Sequence, residues 1–533
     1  MMYSSFKHTS YANTHFFSKI VEDYVKQDKN LQPYYNHSPS IDGIKDAIEE
    51  RKLFATDRHL LVKYFKIQYA LSSTLKQQKN IELLANENCF TITTAHQPNI
   101  FTGPLYFIYK ILHTIKLANE LSQTLAHYKF VPVYYMGSED ADLEELGSIN
   151  LQNKKIVWNT QQTGAVGRMK VDKNFIKLIT EIEAQLGVNE FGIELANMFK
   201  QCYTLNKTIQ NATFELVNNL FSSYGLLVLV PDNATLKTAF IPTVAKELQE
   251  QFSRKIVDET NEKFGKHYKI QAAGREINLF YLIEDSRERI EIRDDVFIIE
   301  KLNLEFTLAQ IIIELNTHPE RFSANVILRP VFQETILPNV AFIGGGGELA
   351  YWLQLKNVFK EAKVPYPVLL LRNSFLLYTI KQENKLLKMG YTIENVFTPV
   401  EKLFEDLVKK QTYNNLSLQP QIEQAKAFYN QLSTQVKKID NTLVAHTQAI
   451  ANKALKKIEI LEKKILKAEK RKFIDQKNQL LLIKEDLFPN NNLQERVENF
   501  GYYYSKLGKE FFDIILSSSK GLEQDFGLIC LDN

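Results

Sequence analysis

The chain has 533 residues, 44% of them hydrophobic and 24% charged, with a formal net charge of +3. That length exceeds one simple core, and the balanced charge gives no reason to expect nucleic acid or a membrane as the main partner. The cysteines Cys89, Cys202 and Cys530 form no CxxC pair, the start lacks an apolar core of signal-peptide length, and no run of about 18 apolar residues occurs. The expectation is a soluble, cytoplasmic protein with no metal site.

Residues 1–85 read as mostly helical, with Phe17, Ile20, Val21 and Tyr24 at helical spacing, a second such run over 60–75, and a loop over 31–43. The pattern then changes to a β-branched strand at 90–95, a loop at 96–103 and a helix over 104–121, with Thr102 as its cap and Pro104 in its first turn. A second strand over 129–137 completes a βαβ unit, which predicts parallel pairing and an α/β fold. Residues 150–225 look like an insertion, partly helical from 174 to 221. The sheet resumes at 226–232, and 277–300 alternate as a hairpin subdomain. Strands are expected at 326–330, 340–347 and 367–373, with a helix over 347–362 between the last two. Beyond Pro420 there is no Gly or Pro until Pro489, and Leu432, Val436, Ile439, Leu443, Ile450, Ala454, Ile458, Leu461 and Ile465 mark a heptad seam with one stutter. This coiled coil either pairs two chains or folds back as a hairpin. His446 falls on its seam, as a buried register-setter or as a tolerated, partly exposed residue.

Four constellations bear on chemistry. At the loop–helix junction from His96 to Lys110, a helix start at Thr102–Gly103 would offer free N–H groups to phosphate or carboxylate. In the loop after the second strand, Glu139, Asp140, Asp142, Glu144 and Glu145 can hold an ammonium, a metal or sugar hydroxyls, or can simply cap the following helix. Gly344–Gly347, leading into Glu348, let backbone approach a ligand closely without matching a P-loop or GxGxxG. Arg287, Arg289, Arg329 and Arg372 suit carboxylate or phosphate, the last two reading as strand ends on one sheet edge. No GxSxG, HExxH or Cys–His pattern supports covalent catalysis. Together these place a cleft at the carboxyl edge of a parallel sheet.

Taken in order, HQPNIFTGPLYFIYKILHTIKLA, VPVYYMGSEDADLEEL, GREINLFYLIEDSRERI, RPVFQETILPNVAFIGGGGELAYWLQL, FPNNNLQER and the lysine-rich coiled coil resemble the cysteine-adding enzyme family of bacillithiol biosynthesis over nearly the whole chain. The resemblance implies a Rossmann-like core related to class I synthetases, with connecting-peptide insertions and a coiled coil that forms a homodimer. The expected layout is a helical segment over 1–85 packing on the core, a core over 86–415 with insertions near 150–225 and 265–325, a coiled coil over 416–487, and a tail over 488–533 that repacks on the core. The implied activity is a ligase joining L-cysteine to glucosaminyl malate through an amide bond. ATP or another nucleotide is the expected cosubstrate, with magnesium only as its companion. His96, Glu139 and Asp140 are the catalytic candidates. Gln97, Thr102, Gly103, Tyr106, Asp142, Arg287, Arg329, Gln333, Gly344, Gly345, Gly346, Gly347, Glu348 and Trp352 are the binding candidates, with Arg329, Pro330, Gln333 and Tyr351 lying in matched segments.

This chain departs from the family pattern with Ala95-His96 for Gly-Gln, Ala141 for His and Gly346 for Pro. A synthetase KMSKS loop and the Cys/His zinc set of the analogous mycothiol ligase have no counterpart here. The competing readings are a non-catalytic nucleotide-binding coiled-coil scaffold and another small-molecule synthetase on the same fold.

Overall fold

The computed structural model describes residues 6–70, 72–152, 154–412 and 416–531. The expected junction at 415/416 falls on 413–415 and so lies outside the described residues, as do the first five residues of the chain. Among the described residues two compact units emerge, one within 6–376 and 492–529, the other within 377–491 together with residues 530 and 531.

The larger unit is built on a five-stranded parallel sheet: β1 (Cys89–His96), β2 (Lys129–Met136), β3 (Leu227–Leu229), β4 (Asn339–Gly344) and β5 (Val368–Leu371), in the order β5-β4-β1-β2-β3. All eight residues of β1, CFTITTAH, are buried, as a strand covered on both faces requires. Residue pairs run from Cys89 with Lys129 to His96 with Met136 on one side, and Ile343 lies beside Thr94 on the other. The chain winds from β1 towards β2 and β3, then resumes on the other side with β4 and β5. The reversal puts a switch point between the carboxyl ends of β1 and β4.

Helix α1 (Ile41–Lys52) packs Ile44, Ala47 and Ile48 into a core with Phe90, Ile92, Val340 and Val368, and Leu117, Ala118 and Leu121 of α2 (Tyr106–Thr124) join the same cluster. An unforeseen strand at Phe6–Thr9 pairs antiparallel with Phe526–Leu531, joining the two ends of the chain. The helical insertion begins with α3 (Lys173–Leu186) and continues as Glu190–Cys202 and Ile209–Phe221, and the hairpin is Leu279–Ile283 against Ser286–Arg289.

Three local expectations need correction. Residues 326–330 form no strand. The Asn325 carboxamide accepts from the Ile327 N–H (2.9 Å), closing an Asx turn, and Arg329 and Pro330 open helix α4 (Arg329–Ile336), so Arg329 begins a helix rather than ending a strand. The helix over 347–362 is broken into α5 (Gly346–Leu353) and Lys356–Glu361, with the buried Gln354 side chain at the break accepting from the N–H groups of Gln271 (2.9 Å) and Ala272 (3.0 Å). The run over 60–75 ends at Gln68 and a new helix starts at Leu75 behind a Thr74 cap.

His113 of α2 is a buried clamp. Its Nε2–H donates to the Gly521 carbonyl (2.7 Å) while Nδ1 accepts from the Asn373 N–H (3.2 Å). The bond accepted at Nδ1 needs the neutral ring, and burial holds its pKa down at about 4 against an ordinary 6.5. The unfolded chain therefore takes up a proton that the folded chain refuses between these values. Stability is complete above about pH 6.5 and falls towards pH 4, by on the order of 3 kcal/mol from this group. Denaturant unfolding against pH should show that loss, and His113→Gln should flatten it. An equal slope in both chains removes His113 as the cause.

In the smaller unit, Gln419–Lys437 and Leu443–Lys470 fold back on each other. The Leu418 N–H donates to Glu462 (2.9 Å), and Thr412 donates to the Glu469 carboxylate (2.8 Å). The hairpin leaves Phe428, Ile439, Leu443, Ile450 and Leu461 exposed, Ile439 by 85%. His446 is exposed.

Candidate functional site

A cavity of about 1050 Å³ opens at the β1/β4 switch point, entirely within the larger unit. Its walls come from the strand ends (His96, Gln97, Glu139, Asp140), the start of α5 (Gly345–Glu348), α4 (Arg329) and the hairpin (Arg287). A pocket this large at a sheet's carboxyl edge can hold two small substrates together.

The structure therefore brings together His96, Gln97, Tyr106, Glu139, Asp140, Arg287, Arg329, Gly345, Gly346, Gly347 and Glu348. Lys110, Tyr351 and Arg372 also line the cavity. Lys110 is buried, pairs with Glu348 and donates to the Ala95 carbonyl (2.9 Å). Glu348 in turn accepts from the Gly345 N–H (2.8 Å), which fixes the start of α5.

The remaining candidates lie elsewhere. Thr102 and Gly103 do not start a helix: both have positive φ (71° and 66°), and α2 begins at Tyr106 with no side-chain cap. Asn499 holds this stretch instead, donating to the carbonyls of Phe101 (2.9 Å) and Gly103 (2.6 Å). A methyl on Gly103 would come within 2.7 Å of Asn99 Cβ, so the glycine serves a tight local turn. Asp142 is exposed and caps the short helix Leu143–Leu146 by accepting from the Glu145 N–H (3.0 Å). Trp352 is a core residue, fully buried and stacked on Phe342 with ring centres 4.2 Å apart. Gly344 ends β4 and its carbonyl accepts from the Arg372 N–H (2.8 Å). Gln333 supports the wall from behind, accepting from Arg329 Nη1 (3.1 Å) and donating to Glu334 (2.9 Å). Arg289 is exposed outside the wall.

The charges in the cavity differ in how far they are already engaged. Glu139 is paired with Lys237 and accepts from Ser323 (2.8 Å). Asp140 has neutral partners, the Gln97 side chain (3.1 Å) and the Ala141 N–H (2.8 Å). Arg329 donates to Gln333 and to the Tyr351 hydroxyl (2.9 Å), with its guanidinium 5.5 Å from the Tyr135 ring centre. Arg287 donates to Ser323 (3.0 Å) and the Ala324 carbonyl (3.2 Å) and lies 3.9 Å from the Phe280 ring centre. None of these hydrogen-bond partners is a carboxylate; Glu139 and Asp140 act on Arg287, and Glu348 on Arg329, only through space, so both guanidiniums can still bond an anionic ligand. Burial, reinforced by Lys110 and Arg372, pushes the His96 imidazole well below its ordinary range and keeps it neutral. The Cys89 and Cys202 thiols are buried and pushed up to about 12 by burial, which leaves them protonated and unreactive.

The glycine turn makes a clean test of the cavity. A methyl on Gly347 meets nothing within 4 Å, whereas one on Gly346 would press on Val21 Cγ2 at 2.8 Å. Gly347→Ala is expected to keep its melting temperature within a degree or two and to weaken ligand binding about tenfold by intruding on the cavity. Gly346→Ala should cost stability as well. Unchanged affinity in Gly347→Ala takes that stretch out of the site.

Sequence reasoning missed Phe16, Phe17, Ser18 and Val21, which wall the cavity from the N-terminal segment, and Arg496 from the tail. Apolar periodicity cannot say which loop a helix start will face. The one available signal was the polar run NNNLQER after the coiled coil. Among the described residues, no helix is long and apolar enough to cross a membrane, and no cluster of His, Cys, Asp or Glu is placed to hold a metal.

Comparison with known proteins bears on this geometry. Residues 5–373 match the model for "Bacillithiol biosynthesis BshC, N-terminal Rossmann-like domain", and residues 375–531 match "Bacillithiol biosynthesis BshC, C-terminal coiled-coil domain". A Flavobacterium johnsoniae protein named "Putative cysteine ligase BshC" is 40% identical over 528 residues, covering 98% of this chain and 99% of its own. Proteins of the same name from Flavobacterium psychrophilum (39% over 524 residues, 98% of each chain) and Bacillus cereus (27% over 522 residues, 94% of this chain and 95% of its own) are also similar.

Proposed function

Because the chain belongs to the bacillithiol biosynthesis BshC family, we propose that its cavity is where L-cysteine is joined to glucosaminyl malate by an amide bond. The observation that carries this reading is the match of both domain models across the chain, with the cavity at the switch point of the matched sheet.

Each residue has a chemical part in this proposal. Arg287 and Arg329, held by neutral partners, pair with the malate carboxylates. Of the cavity carboxylates, Glu139 and Glu348 are each committed to a lysine, which leaves Asp140 and Glu145; Asp140, held by Gln97, takes the cysteine ammonium or the proton of the attacking amine. A neutral, buried His96 is a poor proton acceptor and serves as a hydrogen-bonding wall. The cysteine carboxylate needs a better leaving group than hydroxide. ATP or another nucleotide is proposed as the cosubstrate, with magnesium accompanying its phosphates. The N–H groups of Gly346 and Gly347, in the first turn of α5, are available to an oxyanion.

A second copy is proposed to pair along the exposed apolar residues of the helical hairpin, Phe428, Ile439, Leu443, Ile450 and Leu461. A reducing cytoplasm suits both free thiols and a thiol substrate, and no role for nucleic acid follows from a charge of +3. The test is direct. Purified protein given L-cysteine, glucosaminyl malate, ATP and magnesium should release the ligated thiol, detected by mass spectrometry after alkylation. Folded protein that yields none overturns the reading.

A further inference from the structure

Two arginines at the glycine turn stand apart from the Arg287–Arg329 pair. Arg372 follows β5, and both of its terminal nitrogens are engaged: Nη2 donates to Glu495 (2.7 Å), and Nη1 donates to Ser374 (2.9 Å) and the Asn373 carbonyl (3.1 Å). Its Nε lies 3.6 Å from where a Cβ on Gly345 would stand, with Glu348 Oε2 3.5 Å from the same point, so the third nitrogen lies beside the glycine turn. Glu495 is completely buried, and the Ser374 hydroxyl reinforces its hold on Arg372 (3.2 Å). One residue further on, Arg496 lines the cavity, donating to the Phe16 carbonyl (3.3 Å) with its guanidinium 5.4 Å from the Phe17 ring centre.

Charge pairing separates the cations on this wall. Lys110 is balanced by Glu348, and Arg372 by Glu495. Among the described residues Arg496 forms no ion pair: it donates to a carbonyl and lies by a ring, and the one carboxylate acting on it, Glu495, is already bonded to Arg372, so its guanidinium can still take a ligand. The short helix Gln494–Val497 turns residue 495 inward and residue 496 to the cavity, so one segment both fixes Arg372 and supplies the free cation.

We propose that Arg372 and Arg496 form a second oxyanion subsite at the glycine turn, with Glu495 as the positioning residue that aims Arg372 Nε at it. The ligand class is an oxyanion of the second substrate: the amino-acid carboxylate or the phosphate of an activating nucleotide, which this donor set would recognise alike. The subsite's role in turnover rests on the ligase reading; its capacity to bind an anion does not.

Calorimetry on the full chain with inorganic phosphate, L-cysteine and malate as separate probes tests the proposal. Arg496→Gln and Glu495→Gln should each weaken phosphate or cysteine, whichever the native chain binds, about tenfold while leaving malate within twofold. Arg287→Gln should do the reverse. Glu495→Asp should restore part of the loss, which a general packing defect at 495 would not show. In turnover, Glu495→Gln should raise the KM of one substrate with kcat little changed. The subsite is overturned if the native chain binds neither phosphate nor cysteine, if Arg496→Gln leaves both unchanged, or if it weakens malate equally. Should ligation itself be absent, the binding results still decide the subsite, so the two failures are distinguishable.

Discussion

Arg329→Ala is expected to lower kcat/KM for ligation by roughly 10²- to 10³-fold, because in the proposed placement it removes a desolvated guanidinium facing a substrate carboxylate, an interaction on the order of 3–4 kcal/mol. The native guanidinium is anchored at both terminal nitrogens, by Gln333 (3.1 Å) and Tyr351 (2.9 Å), and lies over Tyr135. It is therefore preorganised before a ligand arrives. Truncation strands the Gln333 carboxamide and the Tyr351 hydroxyl, which should cost about 1–3 kcal/mol of stability, too little to unfold a typical domain. Arg329→Lys keeps the charge but loses the fork and should fall between the two, near a tenfold loss. Steady-state assays beside circular dichroism decide the matter. Full activity in a folded Arg329→Ala chain would put the malate elsewhere, and indifference to Asp140→Asn as well would favour a non-catalytic scaffold.

The largest effect on stability is expected at Arg51. Its side chain is 2% exposed and pairs with Glu334, itself fully buried, at 2.8 Å. It also donates to the carbonyls of Glu334 (2.7 Å), Leu337 (3.3 Å) and Pro365 (3.3 Å). Glu334 further accepts from Gln333 (2.9 Å) and Asn339 (2.8 Å), so the pair ties α1 to the sheet and to the residue that steadies Arg329. Arg51→Ala leaves a buried carboxylate and several carbonyls unmatched, with an expected cost of about 3–5 kcal/mol. Burial already pushes the Glu334 carboxyl above the usual range, and the variant should meet part of the cost by protonating it. Denaturant melts should therefore show Arg51→Ala recovering some stability at low pH, and Arg51→Ala with Glu334→Leu losing less than Arg51→Ala alone. A single variant as stable as the native chain would show that water reaches this pair.

The legible parts of the sequence were those governed by local spacing. The β1–α2–β2 unit, the apolar run at β3, the glycine turn after β4 and the seam beyond Pro420 each stand in the periodicity. The failures also have local causes that periodicity does not register. At 326–330 an Asx turn and Pro330 outweigh a β-branched run, and at Thr102 a left-handed backbone removes the cap that its hydroxyl suggested. Trp352 shared a motif with Glu348, yet it stands one turn further along α5, where its ring stacks on Phe342 in the core.

Composition and spacing determined the α/β class, the parallel unit, the coiled-coil helices and the residue types available for anion binding, since these depend on steps of a few residues along one chain. Only the tertiary structure decided which of those residues share a cavity. The sheet order sets Gly345 beside His96, while Asn499 draws Thr102 and Gly103 away from the wall. The returning segment after the coiled coil supplies Glu495 and Arg496. Those placements arise from contacts between segments hundreds of residues apart, whose energies depend on complementary burial and charge rather than on any pattern within either segment.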